Sequence, residues 1–450
     1  MNEPPPTQSL PRGIQNAFLF AAFNALSFQI VQSSPIILYA KSLGAKATVL
    51  GIIAGMMPLL VISQIPAANY INRIGFKRFV LAGWSMRVLF IFAIALVPLT
   101  GAFLDPGNQL ALLIGLLFCF NLSRGISSCA WLPWITALIP AQVRGRYLSL
   151  DQAVLNFASF VVFLIGAAVL GKTPGAGHFS ALFLFSAIAG AISLNFLKRI
   201  PDVPVTEEPA KSRSGVPWMA MLRYPPFWKL IRTIIGWSAA YGGMTAFTVA
   251  FLKVKVDMPE GQILMITSIT FIGGLSSLWF LGSRLDRLGS KPVITFALAA
   301  WIAVMGGWAA LAGEALPATL GIVLLLQFLM GLLAALINMS TNRLAMAVIP
   351  VMGRNHFFAL YSVLGSVTLG VSPIAWGVLI DAIGERHWQW LGLDWNRYTV
   401  FFAVAGLAFT VALALSRRLE EPEAASMEKL LKELLIQSPQ KFLLRFWPRN

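Results

Sequence analysis

The sequence predicts an all-α polytopic membrane protein, with twelve transmembrane helices in two six-helix bundles that form a parallel 6+6 pseudo-repeat. Three observations predict it. The 450 residues are 57% hydrophobic and only 12% charged, with mean hydropathy +0.75; a soluble chain carries about 45–50% apolar and about 25% charged residues. Twelve apolar stretches are long enough for a helix to cross a bilayer, which takes about 20 residues. One charged turn between such stretches recurs at the matching place in the second half of the chain.

The elements follow in order, with soft ends. Residues 1–13 are polar and Pro-rich and are expected in the cytoplasm. Spans 14–40, 50–71, 79–99, 109–139, 147–170 and 179–197 make an N-terminal bundle over 14–197. The stretch 198–226, KRIPDVPVTEEPAKSRSGVPWMAMLRYPP, has the Pro, Glu, Lys and Ser content of a linker. Spans 227–252, 262–281, 293–312, 318–348, 356–382 and 398–415 make a C-terminal bundle over 227–415. Residues 416–450 form a tail. Its MEKLLKELLIQ has the period of an amphipathic helix, and its basic, aromatic KFLLRFW suits the inner leaflet. The runs are continuously apolar, as spanning helices are and the alternating strands of a membrane barrel are not. No cleavable signal peptide is expected, because the first apolar run is too long for one.

The net charge is +16 and the sequence pI about 10.2. With the N-terminus in the cytoplasm, most of the 34 Lys and Arg fall on the cytoplasmic side. That asymmetry is the positive-inside rule, and it accounts for the basic balance without nucleic acid. The expected location is the plasma (inner) membrane, multi-pass, with both termini cytoplasmic. Cys119 and Cys129 stand ten residues apart on one predicted helix, too far for a disulfide. No metal cluster, nucleotide loop or nucleophile constellation is visible, so neither an enzyme nor a cofactor is expected.

The repeated turn is GSRLDRLGSK, residues 282–291. Between spans two and three lies ANYINRIGFKR, residues 68–78. Laid on one another, Asn72 meets Asp286, Arg73 meets Arg287, Gly75 meets Gly289 and Lys77 meets Lys291, at an offset of 214. A second match, IPAQVRGRYLSL (139–150) with IPVMGRNHFFAL (349–360), has an offset of 210. Six spans per half is an even number, so the repeats are parallel and both charged turns face the cytoplasm.

Gly282, Asp286, Arg287, Gly289 and Lys291 together resemble the cytoplasmic signature loop of the major facilitator superfamily. The six-linker-six layout and Arg124 followed by Ser128 are similar to that family as well. The resemblance covers residues 14 to 415. It implies secondary transport by alternating access around a cavity lined by spans 1, 4, 7 and 10, with signature loops that favour closure on the cytoplasmic side. Three departures stand out. Asn72 replaces the usual acid, Ala68 replaces the usual Gly, and span five lacks the Gly-Pro pair of the antiporter pattern; Gly370-Val371-Ser372-Pro373 is in span eleven instead.

Side-chain chemistry adds its own expectations. Asp286 can hold the N-terminus of a neighbouring helix, a contact worth about 0.3–1 kcal/mol; Asn72 can cap without charge. The bland alternative is that these turns only serve the topology rule. Arg124, near the middle of an expected 31-residue span, is too deep to snorkel. It reads as an anion-binding or coupling group, or as a structural donor to backbone carbonyls. Arg87 and Asp151 lie at depths compatible with an ion pair, and Asp151 is also a candidate proton carrier. Asn24, Gln29, Gln32, Asn121, Ser128, Trp237, Tyr241, Gln327 and Asn338 are candidate cavity residues or helix–helix glue. The deepest unpaired charge is positive, which favours an anionic or neutral solute. The alternatives are a non-transporting scaffold or sensor and efflux of amphiphilic compounds. The expected partners are the lipid bilayer, a small-molecule solute and protons through Asp151, with no nucleic acid, and the expected state is a monomer.

Overall fold

The structure, a computed structural model, describes residues 13–204, 224–281, 289–348 and 354–421. Gly282, Asp286, Arg287, most of the linker and the amphipathic tail lie outside the described residues, as does the side chain of Asn72. The helices in order are α1 (Gln15–Gln32), α2 (Ser34–Ser42), α3 (Ala47–Leu59), α4 (Gln64–Ala68), α5 (Ile71–Ile74), α6 (Phe76–Leu96), α7 (Pro106–Ser128), α8 (Trp131–Leu138), α9 (Ala141–Leu170) and α10 (Ala176–Arg199). They continue with α11 (Pro225–Tyr241), α12 (Met244–Val254), α13 (Glu260–Leu281), α14 (Ser290–Ala312), α15 (Leu320–Val348), α16 (Arg354–Ile383) and α17 (Arg397–Ser416). Strands β1 (Trp388–Trp390) and β2 (Leu393–Trp395) form an antiparallel hairpin before α17.

Among the described residues, eleven helical segments are long and apolar enough to cross a membrane. Each falls within a few residues of an expected span. At the place of the remaining span stands α13, 22 residues long.

Four of the spans are interrupted, span two by a 3-10 turn, Leu60–Ser63, between α3 and α4. Span one divides at Ser33, whose backbone is extended (φ −132°, ψ −149°), and Pro35 then opens α2 without an amide to return to α1. The expected uninterrupted span 109–139 also divides: α7 stops at Ser128 and α8 starts at Trp131. Pro133 explains the division, since it has no N–H for the carbonyl four residues earlier. Span seven divides at Gly243, which takes a left-handed conformation at φ 82°.

The repeat detected in the sequence has a backbone counterpart. Gly75 precedes α6 at φ 85°, ψ 152°, and Gly289 precedes α14 at φ 81°, ψ 164°. Only glycine adopts this region without strain. The two matched turns therefore enter their helices by the same route.

The chain forms two compact units that cut across chain order. The first is residues 1–214, 242–272 and 369–386; the second is 215–241, 273–368 and 387–450. In the first unit α1 packs along α10 and α9, and α10 along α6. Later segments join it because glycines let backbones touch. A Cβ at Gly51 would run into the carbonyl oxygen of Pro373, one at Gly55 into that of Gly370, and one at Gly377 into that of Ala47. This glycine-lined crossing of α3 and α16 is at the end of α3 remote from the Gly75 turn. In the second unit α14 packs on α15 and α17, and α11 on α17.

Candidate functional site

The first unit collects the polar residues of spans one and four. Asn121, Arg124 and Ser128 recur at intervals of three and four on α7 and so share a face. Gln32, the last residue of α1 before the break, donates from Nε2 to Asn121 Oδ1 at 3.2 Å. Asn121 in turn donates to the Leu117 carbonyl at 2.9 Å. The buried Oε1 of Gln32 keeps no hydrogen-bond partner. Gln64 Nε2 donates to Ser128 Oγ at 2.7 Å, Gln29 Nε2 to Ser159 Oγ at 3.0 Å, and Trp84 Nε1 to Asn24 Oδ1 at 3.2 Å. Asn24, Gln29 and Ser128 thus join helices, the glue reading of their chemistry, whereas Gln32 retains capacity to accept.

Arg124 is partly exposed. Its guanidinium makes no hydrogen bond or ion pair with a described residue, so the expected alternative of bonds to backbone carbonyls is not realised. The break at Cys129 also moves it: Arg124 lies in the last turns of α7, four residues before its end, rather than midway along one long helix.

Arg87, on α6, is 3% exposed. Its guanidinium carbon lies 4.8 Å from the Trp84 ring centroid and 5.1 Å from that of Phe120. These faces offset part of the hydration it has lost. Its Nε has no hydrogen-bond partner, and Arg124 is near enough to act on it electrostatically. The expected Arg87–Asp151 ion pair does not form. Arg87 faces the α6–α7 seam. Asp151 precedes Ser159 by two turns on α9, on the side that meets α1, with Tyr147 one turn before it. Its Oδ1 is buried without a hydrogen-bond partner. Similar depth placed the two residues at one level but not on facing sides.

The second unit holds the other candidates. Trp237 stacks on Tyr241 with centroids 4.7 Å apart, and both rings meet Trp301 at 5.7 Å. Gln327 is buried and Asn338 is exposed. Of the signature turns, Arg73 is exposed, and the Lys291 amide donates to Glu421 Oε2 at 2.7 Å. Glu421 also accepts from the Ser290 amide at 2.9 Å and from Arg343 Nη1 at 2.7 Å.

Sequence reasoning passed over Glu421, Trp84, Phe120 and Asp381. Asp381 accepts from the amides of Ala47 (3.0 Å) and Thr48 (2.8 Å) and from the Thr48 hydroxyl (2.7 Å). Its partners are more than 300 residues away in sequence, and no local spacing signals them.

The whole-chain comparisons agree with this architecture. The D-xylose–proton symporter superposes with a TM-score of 0.71 at 12% identity, covering 92% of this chain and 100% of that one. A point mutant of the nucleoside transporter NupG gives 0.68 at 13%, covering 91% and 100%. The partially occluded inward-open xylose transporter XylE from E. coli gives 0.66 at 14%, covering 91% and 99%. No curated protein matches the sequence. The family model of the Major Facilitator Superfamily matches residues 17–280 and 256–447. With its membrane-crossing helices, its paired glycine turns and this match over nearly all its length, the chain belongs to the Major Facilitator Superfamily.

Proposed function

We propose that this membrane transporter moves a small anionic solute by alternating access. The observation that carries the reading is Arg124: a partly exposed guanidinium within a membrane-spanning segment and with no counter-ion among the described residues. A charge at that depth is costly unless it faces a cavity or a partner. Gln32, beside the break in span one, leaves an acceptor open one turn of α7 away. Broken spanning helices commonly border substrate sites in transporters.

The topology proposed with it is twelve spans in two parallel six-helix bundles, α13 being the eighth, in the plasma membrane with both termini cytoplasmic. The protein acts as a monomer. The α3–α16 crossing with its Asp381 contacts is the closure at one membrane face, and it separates when that face opens.

Thermal stabilisation of the purified protein by a panel of anionic, neutral and cationic solutes tests the reading, with Arg124→Ala beside the wild type. Anions should raise the melting temperature of the wild type and not of the variant. Equal shifts in both would remove Arg124 from the binding site. No response to any solute would favour a non-transporting scaffold.

A second reading concerns coupling. Asp151 has a buried oxygen without a partner, and it can exchange a proton during the cycle. Asp151→Asn should abolish uptake driven by a pH jump while leaving solute binding in place. Unchanged pH-driven uptake would exclude it.

A further inference from the structure

The two guanidiniums of the first unit bear on the charge of the solute, a point that rests on the anion reading above. Arg124 is partly exposed and available for direct contact. Arg87, 3% exposed between Trp84 and Phe120, acts on the same region chiefly through its field. No described carboxylate lies within bonding distance of either.

The described acids of the unit are otherwise engaged or distant. Asp105 caps α7 through the Asn108 amide. Glu260 pairs with Lys253 at 2.9 Å. Asp381 holds the start of α3. Asp202, Asp257 and Glu385 lie in connecting segments. Asp151 is within a span but faces the seam with α1 rather than the α6–α7 seam. Two positive charges therefore share one region of the membrane interior without a neutralising group among the described residues.

We infer that the solute bound at Arg124 is a dianion, of the dicarboxylate or phosphate-monoester class, with Arg87 supplying the second positive charge. A monoanion leaves one charge uncompensated in a medium where that is costly. A dianion brings the site to neutrality. The aromatic faces around Arg87 offset part of its lost hydration and none of its net charge.

The test compares each dianion with a monoanion of nearly the same shape: succinate with succinamate, and methyl phosphate with dimethyl phosphate. Affinities are measured calorimetrically on the purified full-length protein at about pH 8, where the phosphate monoester is doubly ionised. In at least one pair the dianion should bind about tenfold tighter or more, the size expected of one extra charge near a partly screened guanidinium. The pair that shows the preference tells a dicarboxylate from a phosphate ester. Arg87→Met should bring the ratio close to one, and Arg124→Met should remove binding of both members. Arg87→Lys keeps the charge and should keep the preference, which covers the case of an Arg87→Met protein that does not fold. Monoanions that bind as tightly as their dianions overturn the inference, and so does a ratio that survives Arg87→Met. If that monoanion binding still requires Arg124, the anion reading stands. Binding of none of the four probes overturns both.

Discussion

Two carboxylates in this molecule do the same local work in different settings. Glu421 accepts from the first amides of α14, Ser290 and Lys291, at 2.9 and 2.7 Å. Asp381 accepts from the first amides of α3, Ala47 and Thr48, at 3.0 and 2.8 Å. Each satisfies donors that a helix start leaves open, and each sits at the positive end of a helix dipole. The third partner differs. Glu421 takes Arg343 at 2.7 Å, and its side chain is 5% exposed. Asp381 takes only the neutral Thr48 hydroxyl, with Lys46 acting at longer range. A buried carboxylate with its own cation braces contacts within the second unit. A carboxylate held by amides and a hydroxyl is more easily released, which is what the proposed role of the α3–α16 crossing needs.

The comparison breaks most visibly at the glycines. A side chain at Gly51 meets the backbone of Pro373, which cannot swing aside as a flexible side chain would. Overpacking costs typically about 1–3 kcal/mol even where neighbours relax. Gly51→Leu should therefore abolish the closure, whatever Asp381 contributes. Spin labels at the exposed positions Ser42 and Glu385 should lose their short-distance population, and transport should cease. A retained short distance would mean that the glycine crossing is incidental.

Glu421→Ala comes next in size. Removing one partner of a fully buried ion pair costs about 3–5 kcal/mol; here the Arg343 side chain is 32% exposed, so the cost falls below that range. Because two amides lose their acceptor at once and Arg343 loses its carboxylate while keeping Ser290 Oγ, the melting temperature should fall by several degrees. The distance distribution between Ser42 and Glu385 should not change. A shift there would show that Glu421 also takes part in gating, and the contrast with Asp381 would disappear.

The contrast also shows what a sequence carries. The spans were legible because a bilayer demands long apolar runs, and those runs occur where the helices are. The Gly75 and Gly289 turns were legible because positive φ narrows the choice to one residue type. The break in span four was written in Pro133 but hidden by the hydrophobicity on both sides of it. Arg87 and Asp151 were misjudged because counting residues gives depth along a helix, not the direction in which a side chain points. Arg124 was recognised by its cost alone, while Trp84 and Phe120, the rings against Arg87, look like ordinary apolar-span residues. Asp381 and Glu421 depend on contacts between distant segments, and their spacing to local neighbours says nothing of these.

Asp381→Ala should be smaller in effect than either change above. It removes a charged acceptor from two amides and a hydroxyl, worth about 2 kcal/mol for a charge-assisted bond set of this kind. That corresponds to a shift of about 30-fold in the ratio of closed to open populations. The melting temperature should fall less than for Glu421→Ala, because Asp381 has no ion-pair partner among the described residues and the packing of α10 on α1 and α6 in the same unit is untouched. Asp381→Asn should fall between Ala and wild type, since its amide oxygen can still accept one backbone hydrogen bond. A large loss of thermal stability with an unchanged distance distribution would make Asp381 a brace like Glu421.

Thr48→Val is the most discriminating change because it leaves both amide contacts in place. The hydroxyl donates to Asp381 Oδ2 at 2.7 Å, and Val preserves the shape of the side chain. One hydrogen bond to a carboxylate is lost, about 1 kcal/mol once solvent competition is counted. The closed population should drop about fivefold, measured by the same pair of labels. If the hydroxyl is what makes the contact releasable, Thr48→Val and Asp381→Ala should not be additive: with the carboxylate absent, the hydroxyl has nothing to donate to, and the second substitution should add close to nothing. Full additivity would mean that Thr48 acts through some other contact, and that the amides alone hold Asp381.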